Sequence, residues 1–162
     1  MLNKDIIQGL FFGLNSGVIT TVGLISGLMQ TKITRIILII SVISLAISDS
    51  ASESYGLYLS KKAEDVKDNS SGPLYSLISL AITKFVIVIS FLIPLLFTKS
   101  LSVFKNMTWV IGWGLFLFVI LDYRLAKMRN ESFFNYFIPH IFVIGLVVLL
   151  TRYFGKMIEN YK

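Results

Sequence analysis

The stretch "IILIISVISLAISDSASESYGLYLSKK", Ile36 to Lys62, decides the reading of this chain. Its first half is an unbroken apolar run of the kind that crosses a bilayer. Its second half puts Asp49 and Glu53 four residues apart, among Ser48, Ser50, Ser52 and Ser54. The segment, read as Ile36–Leu59, holds eleven Leu, Ile and Val residues. Each contributes about 0.3–0.6 kcal/mol to insertion, whereas each mid-helix acid costs about 2.5–3.5 kcal/mol. The two acids therefore consume nearly the whole apolar contribution. Such a helix needs neighbours that satisfy its polar half.

Those neighbours are visible elsewhere in the sequence. The chain has 162 residues, is 55% hydrophobic and has a mean hydropathy of +0.77, well above a soluble domain. The apolar residues fall in five blocks: Ile6–Met29, Ile36–Leu59, Leu74–Phe97, Met107–Tyr123 and Phe133–Tyr153. Each is about the 20 residues a bilayer core requires. The expected fold is all-α, a polytopic membrane protein with five transmembrane helices in one domain, residues 1–162. The first block is too long for a cleavable signal, lacks a small-x-small end and is followed by further spans. The longest linker, "SKKAEDVKDNSSGP", ends in a turn signal at Gly72-Pro73.

The charge pattern suits a membrane protein. The net charge is +6, and the basic residues lie at segment ends, unlike the clusters of a nucleic-acid binder. Seven fall on each side of the membrane, with Lys84 alone inside a span. The denser linkers follow spans two and four, which favours a cytoplasmic N-terminus. Cysteine is absent, so disulfides, thiolate metal sites and catalytic thiols are excluded. No nucleophile–base pair points to an enzyme.

In span one, Gly9, Gly13 and Gly17 recur every four residues, as do Gly23 and Gly27. This flat face predicts a close helix contact, with span two or with a second copy across a two-fold axis. Thr20 and Thr21 are expected to bond back to their own helix. Asn15 cannot be satisfied that way and needs a neighbour or a ligand.

The polar residues fall at similar depths. At about 1.5 Å per residue, Asn15, Asp49 and Lys84 lie roughly 14–15 Å from the N-terminal side, and Glu53 and His140 roughly 9–10 Å. Asp122 lies nearer the boundary. One shared polar cavity is the expectation. Within it, Lys84 is expected to pair with Asp49 or Glu53, since a lone lysine at that depth is costly. The other acid would join an oxygen-rich cation site with hydroxyl or amide partners. His140 follows Pro139, which frees the carbonyl of Asn135. Its imidazole is read as a bonded buried group, a metal ligand or a proton carrier. Trp109, Trp113 and Tyr123 read as interfacial anchors, and "GWG" at Gly112–Gly114 as packing.

Two segments, "FGLNSGVITTVGLISGL" and "ISDSASESYGLYLSKKAED", together resemble the vacuolar iron transporter family. The family's patterns read like FGLNDGxxTTxGLxxG and ADxxSMxxGEYLSxxSE. Asn15, Gly17, Thr20, Thr21, Gly23, Asp49, Ser52, Gly56, Tyr58 and Ser60 match. Ser16 stands where the family has an acid, Glu53 where it has methionine and Leu57 where it has glutamate. The short linker after span two lacks the family's cytosolic metal-binding insert, as in a divergent prokaryotic-type member. The resemblance implies a homodimer that exchanges Fe²⁺ or Mn²⁺ for protons along a path between spans one and two. The metal-site residues expected from charge and depth are Asp49 and Glu53, with Asn15 and Ser16 as neutral oxygen donors, and no cofactor is expected to be permanently bound. Without methionine sulfur, such a site would lean toward Mn²⁺ or Mg²⁺. The alternative expectation is a membrane scaffold that does not transport and keeps Lys84 and the acids as a structural ion-pair cluster.

Overall fold

The computed structural model describes residues 4–64, 71–97 and 103–160. Six helices follow one another: α1 (Lys4–Leu28), α2 (Arg35–Glu64), α3 (Gly72–Ser90), α4 (Leu92–Phe97), α5 (Val103–Arg129) and α6 (Phe134–Glu159). No strand occurs among the described residues. Five segments are long and apolar enough to cross a membrane, with α3 and α4 together forming the third. The protein is an all-α integral membrane protein with five candidate spans.

The third span breaks at Phe91, whose N–H reaches back to Val88 O at 3.2 Å. Pro94 follows and has no N–H to return to Ser90, so the regular ladder cannot continue through the break. Ser90 Oγ bonds Ile87 O at 2.6 Å and accepts the indole N–H of Trp113 at 3.0 Å. Trp113 thus binds inside the bundle and does not act as the interfacial anchor expected. At the far end Arg35 Nη2 donates to Leu95 O and Leu96 O, at 2.6 and 2.7 Å. These carbonyls lie in the last turn of α4, so the guanidinium caps the broken span. α5 ends on Asn130, whose φ of 55° is left-handed, while Glu131 N bonds Ala126 O at 3.0 Å. That is the closing bond of a Schellman turn, with asparagine in the role glycine usually takes.

α1 is the central helix. Its glycines bring neighbours close, but the partners differ from the sequence expectation. A Cβ on Gly9 would stand 2.5 Å from Ser76 O, and one on Gly13 would stand 2.9 Å from Leu80 O, both on α3. A Cβ on Gly17 would stand 3.1 Å from Ile87 Cγ2, also on α3. On the other half, a Cβ on Gly23 would stand 3.0 Å from Val147 Cγ1 of α6. Gly155 of α6 completes that seam, where a Cβ would lie 2.6 Å from Gly27 O. The glycine face is thus filled by the third and fifth spans of the same chain. It leaves no room for span two or a second copy, because helices that approach this closely exclude any third backbone.

Of the "GWG" glycines, Gly114 packs against Val18 and Val22, whereas Gly112 faces open space. The apolar core runs along α1 through Val18, Val22 and Ile25, each wholly buried, and meets Val42, Phe91, Val110 and Phe118.

Candidate cation site in the membrane interior

Lys84 is the largest fully buried side chain among the described residues. It projects from α3 between α1 and α2. The missing side chains of α1 make its course possible: a Cβ on Gly17 would lie 3.5 Å from Lys84 Cγ. The lysine stem is apolar and packs along this glycine seam. Its ammonium must then find charge, since an unpaired cation at this depth is expensive.

It finds two carboxylates. Lys84 Nζ lies 2.6 Å from Asp49 Oδ2 and 2.6 Å from Glu53 Oε2. The i, i+4 spacing on α2 puts both acids on one side of that helix, one turn apart. Neither contact is aligned as a directional hydrogen bond, so the distances mark charge pairing. Ser16 Oγ of α1 donates to the same Glu53 oxygen at 2.6 Å. Lys84 is completely enclosed, while the Asp49 and Glu53 side chains remain 20% and 28% exposed. Both acids therefore keep part of their surface open outside the cluster. Two carboxylates and one ammonium sum to a formal charge of −1.

The expected pairing of Lys84 is thus present, but it involves both acids, and none is left over. The other α2 hydroxyls do not join them. Ser48 bonds Ser44 O at 2.8 Å, Ser52 bonds Asp49 O at 3.3 Å and Ser54 bonds Ala51 O at 3.1 Å. Thr20 and Thr21 likewise bond Ser16 O and Gly17 O, at 2.9 and 2.6 Å. These hydroxyls meet their needs within their own helices.

The single polar cavity expected from depth is in fact two clusters, one on each side of α1. Ser16 faces the acids. Asn15 instead lines a groove with Gln8, Leu121, Leu125 and His140, between α1, α5 and α6. Successive helical residues point about 100° apart, so neighbours in sequence serve opposite sides. His140 does not approach Lys84. Its Nδ1 lies 2.9 and 3.0 Å from the two carboxylate oxygens of Asp122, and its ring stacks on Phe118 at 4.1 Å. Of the residues read as one site, the structure joins Asp49, Glu53, Ser16 and Lys84, and it separates Asn15 and His140 from them. The sequence reading missed the Asp122–His140 pair. The signal was there, since both are ionisable residues on adjacent spans joined by a short linker.

A third ion pair, between Lys61 and Asp5, ties the end of α2 to the start of α1. Asp5 also lies against Gly72, where a Cβ would meet its carboxylate at 2.8 Å, and Ser76 Oγ bonds Asp5 O at 3.1 Å. Three helix ends therefore meet at Asp5.

Among the described residues, no three His, Cys, Asp or Glu side chains group as a metal cage. A larger apolar cleft of about 660 Å³ lies against Pro94, Trp109 and Trp113 and contains none of the candidate residues. Compared with known proteins, the sequence matches no protein-family model and no curated protein.

Proposed function

We propose that the protein carries a divalent cation across the membrane, with Asp49 and Glu53 as the site that holds it. The carrying observation is the position of Lys84 Nζ, 2.6 Å from both acids and wholly enclosed, while both acids keep an exposed side. The ammonium occupies the place a mobile cation would take, and keeps the empty carrier close to neutral. A cation arriving at the exposed side competes with Lys84 for the same oxygens. A buried ion cluster of this kind is a poor stabiliser compared with apolar packing, so stability alone does not account for it. Intramembrane ionisable residues mark ion pathways as a rule. Ser16 supplies a neutral oxygen beside Glu53, and Fe²⁺ or Mn²⁺ is the cargo that the family resemblance suggests. Proton exchange follows if a carboxylate takes a proton when the cation leaves. A homodimer that brings the exposed sides of two such sites together, with the N-termini in the cytoplasm, fits this reading.

A second reading rests on the same lysine. Because Lys84 already meets both acids, the cluster also suits a membrane scaffold in which the three charges fix the contact of α1, α2 and α3. Radiolabelled Mn²⁺ uptake into proteoliposomes separates the two. Uptake above that of empty vesicles supports the carrier, and uptake equal to them supports the scaffold.

A further inference from the structure

The groove on the other side of α1 has the parts of a second cation site. Asp122 is wholly buried, and its two oxygens face His140 Nδ1 at 2.9 and 3.0 Å. An ionised Asp122 can only accept, and with it Nδ1 carries the hydrogen. In the neutral ring the lone pair is then on Nε2. A carboxylate that holds the far nitrogen of an imidazole is the usual support for a metal-binding histidine, because it fixes the ring and makes the free nitrogen more basic. The ring face is covered by Phe118, stacked at 4.1 Å, and the side chain is 17% exposed. His140 lines a groove together with Phe11, Phe12 and Asn15 of α1.

Asn15 provides the independent observation. It lines the same groove, of about 310 Å³, and its Oδ1 is buried without a hydrogen-bond partner. A buried amide oxygen without a partner is costly, and the cost is removed by a ligand that accepts its lone pairs. Gln8, seven residues earlier on the same side of α1, brings a second amide to the groove.

We infer that His140 Nε2 and Asn15 Oδ1, assisted by Gln8, form a binding site for a divalent transition cation. Asp122 positions the imidazole. One nitrogen and neutral oxygens favour Zn²⁺ or Fe²⁺ over Mg²⁺ or Ca²⁺, which prefer oxygen alone. With no charged ligand, the site holds its ion weakly and exchangeably. It stands apart from the Asp49–Glu53–Lys84 cluster and does not depend on whether the chain transports.

His140 is the chain's only histidine, so imidazole signals report it alone. The test is ¹⁵N-histidine NMR of the full chain in nanodiscs, titrated with Zn²⁺ alone. The site predicts a saturable shift of Nε2 with Nδ1 still hydrogen-bonded. Asn15→Ala should weaken binding by about tenfold, and Asp122→Asn by roughly 10–100-fold. Gln8 is exposed, so Gln8→Ala leaves the fold intact and should weaken binding more mildly, which keeps the test open if Asp122→Asn does not fold. No saturable shift, ligation through Nδ1, or parental affinity in both amide variants would overturn the inference. Zn²⁺ binding here without Mn²⁺ uptake sinks the carrier reading and leaves this site standing. Mn²⁺ uptake without Zn²⁺ binding here does the reverse.

Discussion

Lys84 Nζ and Ser16 Oγ, from two different helices, reach the same oxygen of Glu53, each at 2.6 Å. One atom of α2 thereby ties α1 and α3 together in the middle of the bundle. The contact of α1, α2 and α3 is centred on that junction.

Removing the ammonium should therefore cost more than removing an acid. Lys84→Met leaves two carboxylates facing each other without a counter-charge. Breaking a buried pair in this way typically costs about 3–5 kcal/mol. The triple variant Lys84→Met, Asp49→Asn, Glu53→Gln removes all three charges and should regain much of the loss. Thermal unfolding in detergent measures both. Equal stability of the single variant and the parent would mean that the three charges are not energetically coupled.

The glycine seam makes a contrast of sites. At Gly9 a Cβ would lie 2.5 Å from Ser76 O, so Gly9→Ala must push α1 and α3 apart, at about 1–3 kcal/mol for overpacking. Gly56, Gly112 and Gly145 meet nothing within 4 Å. There the change to alanine should be neutral or stabilising, by up to about 1 kcal/mol from helix propensity. Chemical denaturation of the four single variants would test the ranking. A destabilised Gly112→Ala with an unaffected Gly9→Ala would place the seam elsewhere.

The turn between α5 and α6 should respond to acid. Tyr136 Oη donates to Glu131 at 2.6 Å and Arg129 Nε donates to it at 3.0 Å. These bonds, that of Tyr136 foremost, hold the Glu131 carboxyl below its ordinary value. A lowered folded-state value means that the contribution is complete above the unfolded value and is lost as pH falls through the folded one. Hydrogen-exchange protection of residues 129–136, taken relative to the intrinsic rate at each pH, should therefore fall in acid, below the ordinary glutamate range. Glu131→Gln should already have lost that protection at neutral pH and should lose no more on acidification. The same acid response in the variant would assign it to another group.

Much of the fold was legible because a bilayer leaves few options. Blocks of about 20 apolar residues must be helices, so five spans could be read directly from the composition of the blocks. The break at Phe91 was less visible, since Pro94 sits near the end of its span, where a helix can simply stop. The polar residues were legible by depth but not by azimuth. Asn15 and Ser16 have almost the same depth, yet one faces α5 and α6 while the other faces α2. Only the packing of α1 against α3 along Gly9, Gly13 and Gly17 sets that rotation. The glycine pattern signalled a tight contact, but small residues carry no mark of which helix they admit. Lys84 supplied the missing clue, because its stem needs the space that Gly17 leaves.

The central claim is that Asp49 and Glu53 alternate between the Lys84 ammonium and a mobile cation. Mn²⁺ uptake into proteoliposomes, measured side by side for the parent, Asp49→Asn and Glu53→Gln, tests it most directly. Each variant keeps the side-chain shape and removes one charge. The account predicts uptake by the parent and a fall of about tenfold or more in each variant, equivalent to roughly 1.4 kcal/mol of lost cation binding, with all three proteins equally folded. A parent that takes up no Mn²⁺, or variants that carry it as fast as the parent, would contradict the claim.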